Sequence, residues 1–152
     1  MEIILAENHG FCYGVKRAVE MADEAANSEG KSYTLGPIIH NPQVVGRLES
    51  KGVSPIQEVA DIDEGTMIIR SHGVGPAIYA EAEEKGLHIL DATCPHVKKA
   101  QQDAKSVIED GMTLVILGEK NHPEVKSINL WANNKGIIIE DEESAQKLQI
   151  VE

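Results

Sequence analysis

Two cysteines and three histidines stand where this chain could do chemistry. Cys12 lies in "HGFCYGV" and Cys94 in "LDATCP". Each sits just ahead of a helical pattern, where free N–H groups and the helix dipole favour a thiolate. A thiolate is the form that ligates a metal. Free cysteine is also often a small buried apolar residue, and residue type alone leaves both readings open. His40, His72 and His122 occupy loops marked by glycine or proline, "GPIIHNP", "SHGVGP" and "NHPE". Imidazoles there can donate to phosphate oxygens or pass a proton near neutral pH. One loop histidine is usually a surface residue; three at equivalent strand ends argue together for an anion site. Glu124 offers either a proton carrier beside His122 or the acidic first turn of a helix. His9, His88 and His96 are less pointedly placed, in a loop, inside a strand and on a first helical turn.

The elements that would carry these groups alternate. Compact apolar runs at 3–6, 32–35, 66–70, 87–91, 113–117 and 136–140, with a weaker one at 53–56, read as strands covered on both faces. Helical patterns fill 14–27, 42–51, 76–85, 95–109, 123–132 and 142–149. In the first, Val15, Val19, Ala22 and Ala26 form the apolar stripe, with Lys16, Arg17, Glu20 and Glu24 off it. Several open on proline and close near glycine. The acidic run Asp141-Glu142-Glu143 reads as a solvated helix start. The rhythm predicts an α/β fold with parallel sheet. A loose repeat divides it into two similar units with flanking helices, 1–93 and 94–152, each with a strand, a cysteine and a helix. In such sheets ligands sit at the carboxyl ends of the strands, where Cys12, His40, His72, Cys94, His122 and Glu124 all fall.

Composition narrows the class. The 152 residues are 41% hydrophobic but only 3% aromatic, so aliphatic side chains and alanine must fill the core. A net charge of −11 argues against a general nucleic-acid surface and an anionic membrane surface. The apolar runs are too short to span a bilayer, and the first residues lack the pattern of a signal peptide. The expected location is cytoplasmic, with both thiols reduced.

Taken in order, "GFCYGVKRAV", "GPIIHNPQVV", "RSHGV", "DATCPHVKKA" and "GEKNHPEV" resemble the 4-hydroxy-3-methylbut-2-enyl diphosphate reductases, iron–sulfur enzymes of the methylerythritol phosphate route to isoprenoids. The likeness runs from Met1 to about Glu140. It implies a 4Fe–4S cluster at the centre of three similar α/β domains in a trefoil-like arrangement, with Cys12 and Cys94 as two of its ligands. It implies that His40, His72 and His122 bind the diphosphate and that Glu124 lies on the proton path. The implied reaction is reductive dehydroxylation of the allylic diphosphate to isopentenyl and dimethylallyl diphosphates, fed by an external electron donor such as ferredoxin or flavodoxin.

Set against that pattern, the chain reads as an amino-terminal portion without the third domain and its third cysteine, the second unit being incomplete. Ser127 stands where many relatives have glycine. Two thiolates would leave such a cluster half-bound, unless two chains pool theirs in a homo-oligomer. The alternative reading is a non-catalytic α/β module that holds a diphosphate or another anion without a cluster. A two-cysteine zinc site lacks the usual close cysteine spacing.

Overall fold

A computed structural model describes residues 1–7 and 9–148 of the chain. In chain order the elements are α1 (Tyr13–Ala26), β1 (Ser32–Leu35), α2 (Pro42–Ser50), β2 (Val53–Ile56), a 3₁₀ turn (Val59–Asp61), β3 (Thr66–Ile69) and α3 (Pro76–Glu84). There follow β4 (His88–Asp91), α4 (Pro95–Glu109), β5 (Val115–Leu117), α5 (Pro123–Trp131), β6 (Ile137–Ile139) and α6 (Glu142–Gln146). The strands form two parallel sheets, one in the order β2-β1-β3-β4 and one of β5 and β6. The fold is therefore α/β with parallel sheet, as the alternation predicts.

Burial on both faces explains the apolar runs. In β3, Ile68 points into a core made with Ala18, Val19 and Ala22 of α1 and Leu48 of α2. Its neighbours Met67 and Ile69 point the other way, to Val59, Ile62, Ala82 and Leu87. One strand thus feeds two cores, as a period of two dictates. The buried face of α1 is Ala18, Val19, Ala22 and Ala25, with Val15 and Ala26 at its margin. Three alanines let this helix lie close to the sheet. Pro55 falls in β2, at a sheet edge, where a missing N–H is tolerated.

Four helices open on proline at the first turn, at Pro42, Pro76, Pro95 and Pro123. Each follows a strand by a loop. Asp141 caps α6 by accepting from the Ser144 amide at 2.7 Å, in a reciprocal capping box. The predicted helix at 142–149 stops at Gln146 among the described residues, and its last position lies outside them. Among the described residues no helix is long and apolar enough to cross a membrane.

One expected strand is corrected. Residues 3–6 pair with nothing among the described residues, and Ile3, Ile4 and Leu5 stand 75%, 82% and 78% exposed. The four-stranded sheet ends at β2 and β4, and neither pairs with this run. An apolar run supplies side chains for a core but no ladder partner for its own N–H and C=O groups. The strand–cysteine–helix unit is complete at Cys94 and lacks its paired strand at Cys12.

The two-sided burial of β3 makes a direct prediction. Met67→Ala, at a fully enclosed position, costs about 2–5 kcal/mol in urea unfolding. Leu117→Ala, at a position 74% exposed, costs less than about 0.5 kcal/mol. Equal shifts at both positions would contradict the assignment of the core.

Candidate functional site

The sheet ends place the reactive groups together. His40 follows β1, His72 follows β3, and His122 follows β5. Their rings converge: the His40 and His72 centroids are 4.6 Å apart, and those of His72 and His122 are 6.0 Å apart and edge-on. The three histidines singled out by loop position form one cluster. His9, His88 and His96 lie exposed.

His72 is the enclosed member, 8% exposed. Its Nδ1 is buried and has no hydrogen-bond partner within the protein, an arrangement that a bound water or ligand ordinarily relieves. Burial first, and then the charges of His40, Arg70 and His122, hold its pKa down to about 4. The ring is therefore neutral at pH 7 and keeps one N–H and one lone pair. At His122 the tautomer follows from a contact. Its Nδ1 accepts the Glu124 amide at 3.2 Å, so in the neutral ring the proton sits on Nε2, which becomes a donor.

The loops are positioned by a buried hydroxyl. Ser127 Oγ of α5 reaches the His72 carbonyl at 2.8 Å and the Glu124 carbonyl at 2.9 Å, and accepts from Gln101 Nε2 of α4 at 3.3 Å. Trp131 Nε1 donates to the Val74 carbonyl at 2.9 Å. These bonds join α5, with His122 at its N-cap, to the loop that carries His72. Gly73 has φ +72°, and a Cβ there would lie 2.4 Å from Gln101 Nε2. Only glycine fits this turn against α4.

The cysteines occupy matched positions. Cys12 is the N-cap of α1 and Cys94 the N-cap of α4, and neither side chain caps its own helix. Cys12 is exposed and Cys94 half-buried. The Cys94 sulfur packs against Gly14, where a Cβ would come within 2.5 Å of it. The two thiol-bearing turns are thus adjoining. Arg17 of α1 ties them further, donating to the Thr93 carbonyl at 3.2 Å. Beneath Cys94, Asp91 accepts from Lys98, from Tyr79 Oη at 3.1 Å and from the Thr93 amide at 3.0 Å. Burial raises its pKa, but the Lys98 and Thr93 bonds outweigh that and hold it below the ordinary value.

The donor chemistry suits an iron–sulfur cluster at two corners only. Among the described residues no group of three or more His, Cys, Asp or Glu converges as a metal site. Clusters are held by thiolates on most of their irons, so these two cysteines do not complete one.

Sequence reasoning missed Arg17, Arg70 and the tie made by Ser127. Arg17 and Arg70 stand inside the quoted motifs, but nothing in a linear motif says which backbone carbonyl or cavity a guanidinium reaches.

A family model described as LytB protein matches residues 3–152. A protein of Geobacter metallireducens named 4-hydroxy-3-methylbut-2-enyl diphosphate reductase is 51% identical over 148 residues, covering 97% of this chain and 52% of its own length. One of the same name from Pelobacter propionicus is 50% identical over 151 residues, covering 99% and 54%. A solved structure of (E)-4-hydroxy-3-methyl-but-2-enyl diphosphate reductase superposes with a TM-score of 0.82 at 47% identity, over 95% of this chain and 53% of that one. A Plasmodium falciparum reductase structure gives a TM-score of 0.90 at 31% identity, over 95% and 46%. The chain spans about half the length of the relatives it matches.

The His72 environment sets a pH dependence. The unfolded ring titrates near 6.5 and the folded one near 4, so below about pH 6.5 the unfolded chain binds the extra proton first. Stability falls as pH drops from about 6.5 to about 4, by on the order of 3 kcal/mol from this ring. Urea unfolding across that range checks it: His72→Asn shows the shallower fall. An unchanged slope would mean that the ring is not held neutral.

Proposed function

This chain belongs to the LytB protein family, and we propose that it forms the diphosphate-gripping half of a reductase acting on 4-hydroxy-3-methylbut-2-enyl diphosphate. The observation that carries this reading is the histidine cluster, with rings 4.6 and 6.0 Å apart and a buried, unpartnered His72 Nδ1. The names of its relatives supply the substrate.

In this reading a diphosphate enters beside three imidazoles. His122 donates from Nε2, and His72 and His40 add N–H groups from the facing loops. Imidazole N–H groups suit the purpose, since they donate to phosphate oxygens. Placing the diphosphate there leaves its hydrocarbon end toward the turns of Cys12 and Cys94. Glu124, held two residues from His122 at the head of α5, carries the proton for the departing hydroxyl. The overall change takes two electrons and two protons, breaks the allylic C–O bond, forms a C–H bond and releases water. Cys12 and Cys94 would supply two thiolates to a 4Fe–4S cluster, whose remaining ligands would have to come from a second copy or another polypeptide. The units 1–93 and 94–152, supported by the two separate sheets, contribute Cys12, His40 and His72 from the first and Cys94 and His122 from the second.

A second reading keeps the anion site and drops the cluster: only two thiols are at hand, whereas the three histidines are already in place. Two measurements separate the readings. Anaerobic reconstitution should give bound iron and acid-labile sulfide that fall to near zero in Cys94→Ser. Calorimetry with inorganic diphosphate should show binding that weakens on the order of tenfold in His122→Asn and is unchanged in Cys94→Ser. Iron retained after loss of both cysteines sinks the ligand assignment, and diphosphate affinity indifferent to His122 sinks the anion site.

A further inference from the structure

A second cavity lies at the carboxyl ends of β1, β2 and β3, of about 300 Å³, and shares no lining residue with the cavity beside His40 and His72. Its walls include Leu35, Val74, Ile78 and Leu130, together with Arg70 and Lys126, and Ser127 separates it from the histidine cluster's loops. No Asp or Glu lines it.

Arg70 is the unusual group. Its carbonyl accepts from the Gly73 amide at 3.0 Å, but its guanidinium makes no hydrogen bond or ion pair among the described residues, and Nε is buried without a partner. Gly36 leaves room for it: a Cβ there would stand 2.9 Å from Arg70 Nη1. Burial lowers the pKa of the guanidinium, yet a guanidinium stays charged in a protein at any ordinary pH. A half-buried fixed charge with five donors and no acceptor is costly unless something supplies the acceptor. Lys126, exposed on α5 at the mouth of the same cavity, is also free of ion pairs among the described residues. In a chain of net charge −11, two cations meeting in one cavity without a carboxylate are a local exception.

We propose that this cavity is a second ligand site, for a small phosphate monoester with a short apolar body. The guanidinium fork grips two phosphate oxygens. Lys126 meets the second negative charge, which a monoester carries near neutral pH and a carboxylate does not. The aliphatic wall of Leu35, Val74, Ile78 and Leu130 takes the hydrocarbon. The volume admits a small molecule only. This site does not rest on the function proposed above, since neither the cysteines nor the three histidines line it.

Trp131 provides the reporter, because its indole is bonded to the carbonyl of Val74 in the cavity wall. The full chain is titrated with butyl phosphate and, separately, butyrate, by tryptophan fluorescence and calorimetry. The expected result is saturable butyl phosphate binding that weakens on the order of tenfold or more in Arg70→Gln. It weakens also in Lys126→Gln and is retained in His40→Gln. Lys126 is on the surface, so its variant carries the test if Arg70→Gln does not fold. No saturable binding overturns the proposal, as does binding that survives both cation substitutions. Loss of binding in His40→Gln would assign the phosphate to the histidine cluster instead. Butyrate binding as tightly as butyl phosphate would overturn the phosphate assignment.

Discussion

The hydroxyl of Ser127 holds the two halves of this chain in register. It is buried, and it reaches the carbonyls of His72 and Glu124 while accepting from Gln101. One side chain therefore touches the loop after β3, the first turn of α5 and the middle of α4. The two cores of the four-stranded sheet do not include it. With the Trp131 bond it ties α5 to the loop after β3, and so sets the distance from His72 to His122. The histidine cluster is thus a tertiary object: His40 and His72 belong to one sheet, His122 to the other, and a buried polar contact fixes their spacing. Such contacts are costly if half-made and specific when complete.

Much of this was legible beforehand. Parallel sheet, six of the seven proposed strands and the six helices follow from apolar runs set between proline starts and glycine stops. His40 and His72 come together because strand ends of a parallel sheet all point one way, and His122 of the second sheet joins them through the packing of α5 on the loop after β3. What failed was the run at 3–6. Its pattern is as strand-like as β3, but a strand is a relation between two segments, and the sequence names only one. The stripe on α1 was also displaced, toward Ala18 and Ala25, because alanine packs closely while valine at position 15 suits a margin.

The long-range ties were not legible. Nothing in "RSHGV" says that the arginine turns toward Gly36 while the histidine turns toward His40. Ser127 was noted only as a departure from glycine. Its role appears once Gln101, 26 positions earlier, and His72, 55 positions earlier, lie beside it. Glu124 is similar: its place at the head of α5 could be read from the proline before it, but the bond from its amide to the His122 ring could not.

The four proline-led helices have a further consequence. Proline confines the residue before it to extended backbone, and those residues here are Asn41, Gly75, Cys94 and His122. Two of the four are the residues assigned to chemistry, and a third directly follows His40. The restriction holds in the unfolded chain as well, so folding surrenders less freedom at these turns than elsewhere. The turns at the strand ends are therefore shaped in advance, which lowers the ordering cost of any site built on them.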